Sequence, residues 1–101
     1  MKAVIVTDCY EQYKSRLEQA FDDFVVYEVV NDPQRYYEQA HSVAAQPYDP
    51  LFLFVSNPTL TAVIVTQIMR RRRYVEDGKV RFRQFFVVED LQTRLRVLKL
   101  P

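Results

Sequence analysis

Apolar and polar positions in this chain follow two alternating rhythms. Nearly continuous apolar runs at Lys2–Thr7 (KAVIVT), Phe24–Val30 (FVVYEVV) and Leu51–Val55 (LFLFV) have the pattern of strands covered on both faces. Between them apolar residues recur every three or four positions. Tyr10, Tyr13, Leu17, Ala20 and Phe21 predict a helix over 10–21, with Asp8, three residues before Glu11, as its N-cap. Asp32-Pro33 opens a second helix, which turns Tyr36 or Tyr37, Ala40, Val43 and Ala44 inward and stops before Pro47.

Asn57-Pro58 repeats this start chemistry. Leu60, Val63, Ile64, Ile68 and Met69 then form the stripe of a third helix, whose last turn is four arginines, Arg70 to Arg73. The uncharged run that feeds them, Leu51 to Met69, is 19 residues long, enough to span a bilayer. Ser56-Asn57-Pro58 breaks it, so it reads as a central strand and a core helix and no membrane is expected as a partner.

A fourth strand is predicted at Lys79–Val88, with Arg81 and Arg83 on the face opposite Val80 and Phe82. Asp77-Gly78 is also a strong two-residue hairpin signal. A hairpin there sets Tyr74 opposite Arg81 and Arg72 opposite Arg83, and like charges directly opposed are destabilising. The helix-then-strand reading is therefore preferred. Leu91, Leu95 and Leu98 fit a final helix capped by Asp90, while LRVLKL equally fits a fifth strand.

This order predicts one α/β domain over residues 1–101, a small three-layer fold. About four mostly parallel strands would run in a flavodoxin-like order, 2-1-3-4, with helices on both faces. The crevice beyond the carboxyl ends of strands one and three would be lined by Asp8, Cys9, Ser56 and Asn57.

Composition narrows the chemistry. A single glycine removes glycine-rich phosphate loops from consideration. One cysteine and one histidine, His41, give no basis for a disulfide or for a Cys- or His-rich metal centre, and no cofactor is expected. No signal peptide is visible, so a cytoplasmic location is the expectation. The net charge of +1 conceals a division: residues 1–50 hold four basic and nine acidic residues, residues 51–101 ten basic and four acidic. That split favours an acidic partner, or a second copy meeting acid to base as a homo-oligomer.

Two features carry candidate chemistry. Cys9 sits at a helix start, where a thiol is readily ionised. In position it is similar to the phosphorylated cysteine of the B domains of sugar phosphotransferase systems, and the resemblance implies a phosphocarrier or phosphatase-like enzyme. Cys9-Tyr10-Glu11-Gln12-Tyr13 departs from that pattern in lacking a glycine and an early Ser or Thr, and six residues, not the phosphatase signature's five, separate Cys9 from Arg16. Asp8 resembles the acid after strand one in response-regulator receivers, but Ser56-Asn57 supplies no phosphoacceptor.

The second feature is the arginine set Arg70, Arg71, Arg72, Arg73, Arg81 and Arg83, suited to phosphate or carboxylate. The leading expectation is a non-catalytic regulatory or adaptor domain. It would bind an acidic protein surface or nucleic acid through these arginines, as a homo-oligomer; the bland reading of the same residues is a solvated, dipole-matched helix end. An enzyme using Cys9 and an oligomer-building structural protein are the alternatives.

Overall fold

A computed structural model describes residues 3–46, 50–71, 73–82, 84–92 and 94–99, with the backbone alone at Tyr74. The expected loop around Tyr48 and Asp49, and the side chains of Arg72 and Arg83, lie outside the described residues. The chain runs β1 (Ala3–Thr7), α1 (Tyr10–Ala20), β2 (Phe24–Glu28), a 3-10 turn (Pro33–Arg35) leading into α2 (Tyr36–Ala44), then β3 (Leu51–Phe54) and α3 (Pro58–Arg71). It continues through β4 (Arg73–Glu76), β5 (Lys79–Phe82), β6 (Phe85–Asp90) and β7 (Leu95–Lys99).

Five strands form a mixed sheet in the order β2-β1-β3-β6-β7. The pairs β1–β2, β1–β3 and β3–β6 are parallel, and β7 lies antiparallel to β6. The α/β class holds, but the order differs from the expected 2-1-3-4. A hairpin intervenes between α3 and the fourth sheet position, and a fifth strand covers what was expected to be the edge.

Because the order reverses between β1 and β3, right-handed crossovers send α1 to one face and α2 and α3 to the other. Side chains of each strand then divide by parity. Val4, Val6, Leu51, Leu53 and Phe85 pack with Ala40 and Val43 of α2 and Leu60, Ile64 and Ile68 of α3. Ile5, Phe54 and Val88 pack with Leu17 of α1. Burying each Leu, Ile or Phe contributes about 1.5–3 kcal/mol, which outweighs the poor helix propensity of β-branched Val63, Ile64 and Val65.

Several local expectations are corrected. Asp8 does not cap α1; Cys9 occupies that position without a side-chain cap, and Asp8 reaches across to the β3–α3 loop. α3 ends at Arg71, so the four arginines do not share its last turn, and Arg73 already belongs to β4. Met69 is 46% exposed, and Gln67, 6% exposed, takes the inward place. Of the two readings left open for the chain's last segment, Leu95–Lys99 takes the strand, and Asp90, rather than capping a helix, accepts from Gln92 N at 2.8 Å within the β6–β7 turn.

The hairpin β4–β5 is the largest departure. Asp77 and Gly78 have φ of 52° and 73°, the left-handed pair that a tight hairpin turn requires. Its register sets Arg73 opposite Phe82 and Tyr74 opposite Arg81. Tyr74 opposite Arg81 is the pairing expected of a hairpin here, and the arginine pair that weighed against it, Arg72 and Arg83, lies outside the described residues. The expected strand Lys79–Val88 is thereby cut in two.

Other expectations hold. Asn57 Oδ1 accepts from Leu60 N at 3.0 Å, capping α3 with Pro58 at its first position. Asp32 accepts from Gln34 N at 3.2 Å, with Pro33 next to it.

Candidate functional site

Parallel strands with returning helices give the domain two poles. At the carboxyl pole, where the main strands end, lie Asp8, Cys9, Ser56, Glu89 and Asp90. At the amino pole lie the C-terminal ends of α2 and α3 and the base of the hairpin. The hairpin leaves from Arg71 and returns at Gln84, whose carbonyl accepts from Leu51 N at 3.0 Å beside the start of β3.

The carboxyl-pole crevice is a pocket of about 470 Å³. Phe54, Val55, Val87 and Val88 give it apolar walls; Cys9, Tyr13, Ser56 and Asp90 supply its polar groups. Asp8 accepts from both Ser56 N at 2.9 Å and Ser56 Oγ at 2.7 Å, fastening the ends of β1 and β3 together. Of the four crevice residues expected from the sequence, Cys9 and Ser56 line the pocket, Asp8 braces it, and Asn57 is engaged in capping α3.

The thiol is poorly placed for nucleophilic work. Partial burial raises its pKa above 9.0, and the neighbouring carboxylates Asp8 and Asp90 raise it further, against an opposing effect of the Thr7 hydroxyl at 3.4 Å. Cys9 is therefore protonated at neutral pH. The same carboxylates would repel a phosphate approaching the α1 N-terminus.

Asp90 was not among the expected site residues. It accepts the Tyr13 hydroxyl at 2.7 Å and pairs with Arg16 at 2.8 Å. The Tyr13 bond first, then the Gln92 amide and Arg16, hold its carboxyl below 3.8; the same Tyr13 bond, with some burial, raises the phenol above 10.0. Sequence could not supply this contact, since 77 positions separate the partners.

Matched and unmatched arginines are unevenly distributed, although Arg94 in the β6–β7 turn is exposed and also has no ion pair with a described carboxylate. Three ion pairs occur among the described residues: Arg16–Asp90, Arg35–Glu38 and Arg96–Glu89. All three lie toward the carboxyl pole. Arg70, Arg73, Lys79 and Arg81 are exposed at or near the amino pole, and none pairs with a described carboxylate.

Arg71 also has no carboxylate partner. Its Nη2 lies 3.0 Å from His41 Nδ1 and 3.1 Å from Nε2, so the basic nitrogen of a neutral imidazole can accept from it. His41 in turn stacks on Tyr37 at 6.5 Å between centroids and an interplanar angle of 23°. Tyr37 and His41 stand one turn apart on α2, a spacing visible in the sequence, but their meeting with Arg71 depends on how α2 and α3 align. Neither was expected at the site.

The hairpin itself is uncovered. Arg73, Val75, Val80 and Phe82 share one of its faces by register. Val75 is 70% exposed and Phe82 64%. Of the body, α3 is its principal contact.

Among the described residues no group of three His, Cys, Asp or Glu side chains is placed to hold a metal ion, and no helix is long and apolar enough to cross a membrane. Comparison with protein-family models, curated proteins and solved structures gives no match.

Proposed function

We propose that this chain is a non-catalytic regulatory or adaptor domain that binds an acidic partner, protein or nucleic acid, through Arg70, Arg71, Arg73 and Arg81 at the amino pole. Arg72 and Arg83 belong to the same set by sequence. The observation that carries this reading is the uneven pairing of charge. Among the described residues Arg16, Arg35 and Arg96 are matched to carboxylates within the fold, whereas Arg70, Arg71, Arg73 and Arg81 cluster without one; Arg94, in the β6–β7 turn, is a lone unmatched arginine at the other pole. Arginine suits that role because its planar fork grips a carboxylate or a phosphate with two hydrogen bonds. Phe82 beside Arg73, and Tyr37 with His41 beside Arg71, add ring faces for stacking.

The test is binding of a polyglutamate peptide and of a single-stranded oligonucleotide across a salt series. Removing four exposed cations, each contributing about 0.2–1 kcal/mol, should weaken binding by about fourfold to several-hundredfold in the Arg70→Ala, Arg71→Ala, Arg73→Ala, Arg81→Ala variant. The stronger probe identifies the partner class. Binding of neither at low salt, or binding unchanged in the variant, rejects the proposal.

A further inference from the structure

We infer that a second pocket, between α1 and the start of β7, binds a small aliphatic monocarboxylate whose carboxylate is held between Arg16 and Arg94. This site is separate from the amino-pole arginines and adds a ligand to the domain.

Arg16, Gln19, Ala20, Arg94 and Leu95 line a pocket of about 270 Å³, just below the roughly 300 Å³ at which small-molecule pockets commonly begin. Arg16, Gln19 and Ala20 fall at i, i+3 and i+4 and so share one side of α1. Leu95 is their counterpart on the sheet, where it opens β7 and packs into the same cluster as Leu17. Arg94 precedes it in the β6–β7 turn, and its carbonyl accepts from Leu91 N at 2.9 Å.

The Arg16 head is held on two sides and unmet on a third. Its guanidinium carbon lies 5.4 Å from the centre of the Tyr13 ring, and Nη1 pairs with Asp90 Oδ1 at 2.8 Å. Nη2 is buried without a hydrogen-bond partner, the only side-chain nitrogen or oxygen so placed among the described residues. Asp90 is already committed: Oδ1 also takes the Gln92 amide, and Oδ2 takes the Tyr13 hydroxyl. A buried charged donor left unmet is destabilising, whereas its bond to an oxyanion is among the strongest of hydrogen bonds. The Arg16 side chain is 32% exposed, so a change in its outer torsions would present Nη2 to the pocket. Arg94 supplies the second cation, being exposed and without an ion pair to a described carboxylate.

The charge balance selects the ligand. Arg16 and Arg94 against Asp90 leave one positive charge, which a monocarboxylate neutralises. A phosphate dianion would bring a second negative charge beside Asp90 and the carbonyl end of α1, whose last turn has no basic residue. Ala20 and Leu95 offer apolar contact to a short aliphatic stem, and Gln19 adds a neutral amide.

Titrating the full chain with sodium butyrate, and with sodium chloride at equal ionic strength, tests this by amide NMR. Butyrate should give saturable shifts in Arg16 to Ala20 and in Arg94 and Leu95, and chloride should not. Acetate should bind several-fold more weakly, because it lacks the stem, and n-butylammonium should not bind. Arg94→Ala should weaken butyrate by about two- to fivefold. Arg16→Lys keeps the charge beside Asp90 but removes Nη2, and should weaken it by about tenfold or more. If Arg16→Lys fails to fold, Arg94→Ala decides alone, because that side chain is exposed.

Equal shifts with butyrate and chloride would mean that water satisfies Nη2, and would overturn the inference. So would tighter binding of phosphate, shifts confined to the amino-pole arginines, or an unchanged affinity in Arg94→Ala. Polyanion binding at the amino pole should be the same in Arg94→Ala as in the unmodified chain, which keeps the two sites distinguishable.

Discussion

The Tyr13 hydroxyl donates to Asp90 Oδ2 at 2.7 Å, joining the sheet-facing side of α1 to the end of β6. The bond lowers the carboxyl pKa of Asp90 below 3.8 and raises the phenol pKa of Tyr13 above 10.0. A depressed carboxyl contributes stability that is present above its unfolded pKa and lost as pH falls through the folded one. A raised phenol contributes stability that is present below its unfolded pKa and lost as pH climbs through the folded one. The bond therefore supports the fold between these limits and fails at both. Tyr13→Phe should move the Asp90 titration upward, toward 3.8, in an NMR pH series and flatten the acid limb of the stability profile. An unchanged Asp90 titration would show that Arg16 and the Gln92 amide suffice.

Cys9 should behave as a reluctant thiol. Its alkylation rate should reach half-maximum at a pH above that of an ordinary thiol, because partial burial and the Asp8 and Asp90 carboxylates raise its pKa. Asp8→Asn, which removes a neighbouring negative charge, should shift the midpoint downward while weakening the brace to Ser56. A midpoint below the ordinary thiol value of about 8.5 would revive the nucleophilic reading.

Gly78 is required for its backbone, not for space. Its φ is +73°, and nothing lies within 4 Å of where a Cβ would stand. Gly78→Val should cost about 1–2 kcal/mol from the left-handed conformation alone. Because the hairpin's body contacts are chiefly with α3, the cost should appear as faster hydrogen exchange in 73–82, with the sheet amides unaffected. Loss of protection throughout the sheet would instead make the hairpin part of the folding unit.

Gln39 serves as a surrogate strand. Its side chain is 6% exposed, accepts from Val30 N at 2.7 Å and donates to Val30 O at 2.9 Å, satisfying the backbone beyond the end of β2. Gln39→Leu leaves both groups without this partner and should cost about 1–3 kcal/mol in denaturant unfolding. A neutral effect would mean that water replaces the amide freely.

What was legible in the sequence depended on range. Strands such as Leu51–Phe54 and caps such as Asn57 depend on neighbouring residues, and they appear where the pattern put them. The end of α3 was misjudged because four arginines look alike in a helix turn and in a strand. The deciding information was Asp77-Gly78, whose paired left-handed geometry outweighed a charge argument resting on Arg72 and Arg83, which lie outside the described residues. The last strand was ambiguous because Leu91, Leu95 and Leu98 satisfy a helical period, and only pairing with Phe86–Asp90 selects the extended form. At the site, the crevice followed from topology. Asp90, Tyr37 and His41 did not, since each acquires its role from a partner on another element.

The hairpin has a further consequence for how this domain can change. Arg73 and Phe82 face each other across the ladder, so the chain leaves the body and re-enters it at nearly the same place. A variant in which a Gly-Ser pair replaces residues 73–82 should still close its sheet. Loop closure depends only logarithmically on length, at about 0.6 kcal/mol per doubling. The arm is then an exchangeable insert on a self-sufficient scaffold, free to be lengthened, recharged or lost while the body keeps folding.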